Sequence, residues 1–190
     1  MVHTAARRIA GGLQALCGVL ILCDVLLLPL VPALAYFRCQ GPESSQFSQL
    51  MATFRYDFDD GLGNLLRIIL LDAWRSPEVL ALALFLLLAG VCGAVILAES
   101  FHLLGSVAAD APFSPSNAVF LRRASACCFL ISAGALARTM FSVCVNGSDA
   151  LLSYTALAVP LFVMAGLLGL VMAGLFAQAA EIKAENDLTI

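Results

Sequence analysis

Two charged residues stand inside apolar stretches of the sequence, and charge in such surroundings is the first place to look for chemistry. Asp24 lies 16 residues after Arg8, and Arg138 lies 15 after Arg123. At about 1.5 Å per residue, helical segments would carry both roughly 22–24 Å beyond those arginines, so the spacing predicts equal depth. Ionisable groups within a bilayer usually face the interior of a helix assembly, where they pair with one another or mark an ion or proton pathway. An ion pair between Asp24 and Arg138 is therefore expected. It reads either as an ion site, proton site or sensing element, or as a buried structural pair; an arginine snorkelling outward is the third reading. Glu99 and His102 stand three apart on one helical face. They could hydrogen-bond or titrate near neutral pH, though an interfacial pair is the simpler expectation.

The elements that would position these groups follow from composition. The 190 residues are 62% hydrophobic and 12% charged, with a mean hydropathy of +0.97, against about 45–50% and about 25% in ordinary soluble domains. Four apolar runs are long enough to span a bilayer, 9–37, 79–98, 124–145 and 151–177, since about 20 residues suffice. The expected fold is all-α, a four-helix transmembrane bundle in one integral membrane domain over residues 1–190, with an outer loop 38–77, an inner loop 99–123 and a cytosolic tail 178–190. A soluble catalytic domain has no room, and the lipid bilayer is the first partner. The net charge of −3 gives no sign of direct nucleic-acid binding.

The basic start MVHTAARR, the apolar stretch after it and PALA before Tyr36 resemble a cleavable signal. A signal's apolar core is about 7–15 residues long, whereas the run from Ile9 to Ala35 is longer and includes Asp24, so a retained span is expected. Basic residues in short flanking segments favour the cytoplasm. Arg7, Arg8, Arg122, Arg123 and Lys183 lie on one side; Arg38, Arg55, Arg67 and Arg75 lie in the long loop on the other, among acidic residues. The paired arginines beside the first and third spans place both termini inside.

The outer loop is too long for a plain turn. Within it, Leu62 to Trp74 places Leu62, Leu65, Leu66, Ile69, Leu70 and Ala73 near one helical face. That suits a helix lying on the outer leaflet, or equally a short helix packed over the bundle. In the inner loop, Ser114 before Pro115 reads as a helix start, with the hydroxyl capping free amides and proline in the first turn. The new helix would run through Asn117, Arg122 and Arg123 into the third span, its arginines marking the interface. Of the seven cysteines, Cys17, Cys23, Cys92, Cys127 and Cys128 lie in or beside spans as small apolar filler. Cys39 and Cys144 fall near the outer surface and form a candidate disulfide. No pattern suggests a nucleophile elbow, a metal-protease helix or a phosphate-binding loop, so neither an enzyme nor a metal or cofactor is expected.

DAPFSPSNAVFLRRAS in the inner loop and the terminal ENDLTI resemble the two signatures of the bacterial membrane family called domain of unknown function 2975. The resemblance covers the whole architecture through two motifs, and departs from them at Ala184, where an acidic residue is the pattern. It implies no biochemical activity. It implies a multi-pass protein of the bacterial inner, cytoplasmic membrane, and a small helix-turn-helix regulator as genetic neighbour. Two functions are thus expected to compete. One is a membrane sensor or sequestering partner of a cytosolic helix-turn-helix regulator, docking through Pro112, Phe113, Ser114, Asn117, Arg122 and Arg123 and through the tail residues Glu185, Asn186, Asp187, Leu188, Thr189 and Ile190. Leu-Thr-Ile is a β-prone ending that could join a sheet edge or seat in a groove, and a disordered stub is the alternative. The other function is a small transporter or channel subunit acting as a homo-oligomer, with Asp24 and Arg138 in its pathway.

Overall fold

The computed structural model describes residues 2–39, 57–109, 114–147 and 153–187, and besides them 48, 51, 52 and 55. Their order is α1 (Val2–Leu27), a 3-10 turn (Leu28–Leu30), α2 (Val31–Cys39), α3 (Phe58–Leu70), a second 3-10 turn (Asp72–Trp74), α4 (Pro77–Ala108), α5 (Pro115–Asn146) and α6 (Tyr154–Asp187). Four stretches are long and apolar enough to cross a membrane: Ile9–Cys39, Pro77–Ala108, Pro115–Val145 and Tyr154–Glu185. The first of them is α1 and α2 in series. The turn between them carries Pro29, which lacks an N–H and cannot continue the α-helical ladder.

The helices outrun the apolar windows. A helix of 32 residues such as α4 is about 48 Å long, against about 30 Å of hydrocarbon. The expected inner loop is therefore mostly helix: α4 continues to Ala108 and α5 already begins at Pro115. The expected tail is helical as far as Asp187, because AQAAEIKAE is rich in strong helix formers. α5 ends at Gly147, whose φ of 79° with ψ of −165° is a conformation that only glycine adopts without strain.

Packing follows chain order. α1 and α2 lie on α4, α4 on α5, and α5 on α6. Small residues make the contacts and large ones face outward, as expected where lipid rather than water surrounds the protein. Ala35, Ala73, Ala83, Ala135 and Ala173 are completely buried, whereas Leu168 is 66% exposed. Built onto the α1 face, a Cβ at Gly105 would lie 3.1 Å from Gln14, at Gly18 3.7 Å from Phe101, and at Gly93 3.6 Å from Asp24. These pairs fix the antiparallel register of α1 on α4.

α3 starts on Asp57, whose carboxylate accepts the amide N–H of Asp59 at 3.1 Å and of Asp60 at 3.5 Å, which satisfies two of the free donors at the helix start. Its far end is pinned where Ala73 enters a cluster of Ala35, Val79, Leu82 and Ala83. The expected single stripe divides: Leu65 and Ile69 turn inward, while Phe58, Leu62, Leu66 and Leu70 remain exposed at four-residue intervals. That exposed row suits the bilayer surface. Trp74, the only tryptophan, donates its indole N–H to Ile69 O at 2.7 Å at the end of this helix. In vesicles, its fluorescence is expected to be quenched more by lipids brominated near the headgroup than by lipids brominated near the chain ends. Absence of quenching by either would place α3 away from the bilayer.

Candidate functional site at the two polar ends of the bundle

Polar side chains gather at two places. One is the terminal end, which carries the start of α1, the end of α4, the start of α5 and the end of α6. The other is the loop end, which carries the links between α2 and α4 and between α5 and α6.

At the terminal end α4 and α5 are bound together twice. Arg123 Nη1 donates to Glu99 Oε1 at 3.4 Å, and Glu99 is 9% exposed. One helical turn or more beyond, Asn117 Nδ2 donates to Ser106 Oγ at 2.7 Å. The Ser106 hydroxyl in turn faces Leu103 O at 2.8 Å and Asn117 Oδ1 at 3.0 Å. Asn117 is fully buried, so of the expected docking residues it faces inward as a clasp. Its amide side chain offers both a donor and an acceptor, which is what a buried hydroxyl partner needs. Ser114 does precede the helix, with Pro115 in the first turn, but its hydroxyl does not cap; it faces Ser116 Oγ at 2.7 Å. Glu99 is held by Arg123 and not by His102, whose ring lies 5.6 Å from that of Phe120. Arg122, Arg123 and Glu185 are exposed, and Asn186 and Asp187 belong to the last helical turn. Pro112, Phe113, Leu188, Thr189 and Ile190 lie outside the described residues.

At the loop end, the end of α2, the start of α4, the last turns of α5 and the start of α6 surround polar cavities. One of about 220 Å³ is bordered by Arg38, Cys39, Glu78, Arg138 and Ser142. Arg138 Nη1 donates to Thr155 Oγ1 at 3.2 Å, and Thr155 Oγ1 lies 2.8 Å from Ser153 Oγ. The guanidinium thus reaches from within α5 toward the first turn of α6, the snorkelling geometry of a long cationic side chain.

The expected ion pair between Asp24 and Arg138 is not formed. Asp24 lies against Gly90 and Gly93 of α4, while Arg138 borders the same cavity as Leu82. From Leu82 to Gly93 is about 16 Å along α4 at about 1.5 Å per residue. The depth estimate failed because α5 starts before Arg123, so Arg123 does not stand level with Arg8; moreover α1 packs on α4 rather than on α5. The stability losses of Asp24→Asn and Arg138→Gln are accordingly expected to add in the double variant to within about 0.5 kcal/mol. Thermal midpoints in detergent would check this, and a recovery in the double variant would mean that the two groups do meet. The candidate Cys39–Cys144 bridge is not formed either: both thiols are free. Cys39 borders the arginine cavity, and Cys144 does not.

What sequence reasoning missed is the assembly of Arg38, Arg138, Ser153 and Thr155. Arg38 was visible as the basic end of the first apolar run, but nothing in the spacing tied it to residues a hundred positions away.

Four membrane-length apolar helices, joined through small residues and polar at both ends, define an all-helical membrane protein. Residues 31–190 match the family described as "Protein of unknown function (DUF2975)", and the chain belongs to that family. The match opens at Val31, the first residue of α2. No curated protein and no solved structure matches the chain.

Proposed function

We propose that the protein is a regulatory component of the bacterial inner membrane, not an enzyme, and that its terminal end is a cytoplasmic platform for a soluble partner. One observation carries this reading: at that end three helices continue together beyond the apolar runs 79–98, 124–145 and 151–177 of the sequence. α4 runs on from 99 to 108, α5 starts at 115 ahead of the window at 124, and α6 runs on from 178 to 187. Ten residues of helix project about 15 Å, enough to clear the headgroups. The Glu99–Arg123 and Ser106–Asn117 contacts hold two of these projections together, and a rigid display surface lowers the ordering cost of binding. Arg122 and Lys183 give it exposed positive charge, and Glu181 and Glu185 give α6 exposed negative charge.

The family resemblance suggests the partner, a cytosolic helix-turn-helix regulator sensed or sequestered at the membrane. The transporter reading loses its main support once Asp24 and Arg138 stand apart. Reporter fusions after Ile190 and within 40–56 test the orientation, with a cytoplasmic signal expected only from the first. Affinity capture of the solubilised full-length protein is expected to recover the regulator. Removal of 185–190 should leave membrane abundance unchanged and abolish that recovery. A truncated protein that still holds the regulator would sink the role of α6, and a cytoplasmic signal from the 40–56 fusion would sink the platform as a whole.

A further inference from the structure

Two arginines of the loop end, Arg38 and Arg138, border one space. A second cavity there, of about 480 Å³, is bordered by Arg38 and Arg138, by the hydroxyl-bearing Ser153 and Thr155, and by Leu34, Leu82 and Leu86. Among the described residues no carboxylate borders it. Glu78 borders only the smaller adjoining cavity, and among the described residues neither arginine has a carboxylate oxygen within ion-pairing distance. Among the described residues, Arg138 Nε is buried without a hydrogen-bond partner. A guanidinium does not give up its proton, and a buried cationic group left without an anionic partner is costly. Two like charges facing one space raise that cost further. Among the described residues nothing supplies the anion that would answer this charge.

The lining also says what kind of anion. Arginine forks bind the paired oxygens of phosphate and carboxylate groups, and Ser153 and Thr155 supply short hydroxyl donors beside them. The opposite wall is aliphatic, and Leu34 is 50% exposed on α2. Volumes of roughly 300–1,000 Å³ are usual for small-molecule sites, so this one takes a headgroup and the first part of a chain, not a whole lipid. We propose that the cavity between α2, α4, α5 and α6 binds the oxyanion of an amphiphile, a phosphate or carboxylate held by Arg38 and Arg138 with its apolar part on Leu34, Leu82 and Leu86. This site is at the opposite end from the partner platform and does not depend on it.

The test uses the full-length protein in mild detergent, with native mass spectrometry to detect retained lipid and thermal shift to detect free anions. Phosphatidylglycerol is expected to be retained at least tenfold more strongly than phosphatidylcholine. Arg38→Gln and Arg138→Gln should each weaken that retention about tenfold, and Leu86→Trp, which fills the aliphatic side and leaves the charge intact, should weaken it too. Arg38 is exposed on its helix, so Arg38→Gln keeps the test open where Arg138→Gln does not fold. Stabilisation by inorganic phosphate that needs both arginines, with no lipid retained, would assign the site to a free oxyanion and support the arginine chemistry alone. Equal retention of both lipids, unchanged in Arg38→Gln and with no response to phosphate, overturns the proposal.

Discussion

Gly169→Leu is expected to lower the thermal midpoint of the detergent-solubilised protein by roughly 6–12 °C, the equivalent of about 3 kcal/mol for a chain of this size. Gly169 of α6 faces Ser125 of α5. A Cβ added there would fall on Ser125 Oγ and come within 3.5 Å of its Cβ and 3.9 Å of Leu121 O. Ser125 is 2% exposed and its hydroxyl donates to Leu121 O at 2.8 Å. Even a methyl group would displace that hydroxyl from its acceptor, and the rest of a leucine would then meet the backbone of α5. One turn away, a Cβ at Gly166 would press on the Phe129 ring at 3.0 Å, so α6 cannot relieve the clash by a small slide. Gly174 gives the control on the same helix, with nothing within 4 Å of an added Cβ. Gly174→Leu should leave the midpoint unchanged or raise it slightly, because glycine inside a helix costs about 0.5–1 kcal/mol relative to alanine. Equal midpoints for the two variants would mean that α5 and α6 are further apart than their glycine contacts imply.

Much of this architecture was legible because the bilayer leaves few choices. Apolar runs of 20 residues in a chain with 12% charge can satisfy their backbone only as helices, and the four spans follow. The stripe read over Leu62 to Trp74 was legible in part: Leu62 to Leu70 is helical, while Asp72–Trp74 form a 3-10 turn. The ends of the helices were not legible from hydropathy. A window that stops at Ala98 records where apolar residues end, not where hydrogen bonding ends: α4 continues to Ala108 and α6 to Asp187, the latter through a stretch rich in strong helix formers. Neighbours were less legible still. Equal counts from Arg8 and Arg123 would mean equal depth only if both arginines stood at one boundary, and α5 begins eight residues before Arg123. The same uncertainty hid the gathering of Arg38 with Arg138, which depends on α2 and α5 both lying against α4. The tail was read for its β-prone last residues, but Ala179 to Asp187 continue the helix that precedes them.

Asn117→Leu is the change expected to separate the terminal platform from the bundle that carries it. Asn117 is a candidate docking residue by sequence, and its burial makes it a clasp within the protein instead. Nδ2 donates to Ser106 Oγ at 2.7 Å, Oδ1 faces the same hydroxyl at 3.0 Å, and the backbone N–H donates to Ser114 O at 3.0 Å. The side chain thus joins the last turns of α4 to the first turn of α5 across the link 109–114. Leucine keeps the volume and leaves the backbone bond, but offers nothing to Ser106. Loss of a buried polar partner costs about 1–3 kcal/mol, here concentrated in the last turns of α4 and the first turn of α5. The expected result is a modest fall in the global midpoint with a large rise in proteolytic cleavage between 106 and 117. Ser106→Ala should produce the same pattern from the other side. The double variant should lose less than the sum of the two, because one change already removes the contact that the other would break. Recovery of the soluble partner should fall in step with the cleavage, even though every residue of α6 is intact. Additive losses, or an unclasped protein that still holds its partner, would show that Ser106 and Asn117 do not shape the binding surface.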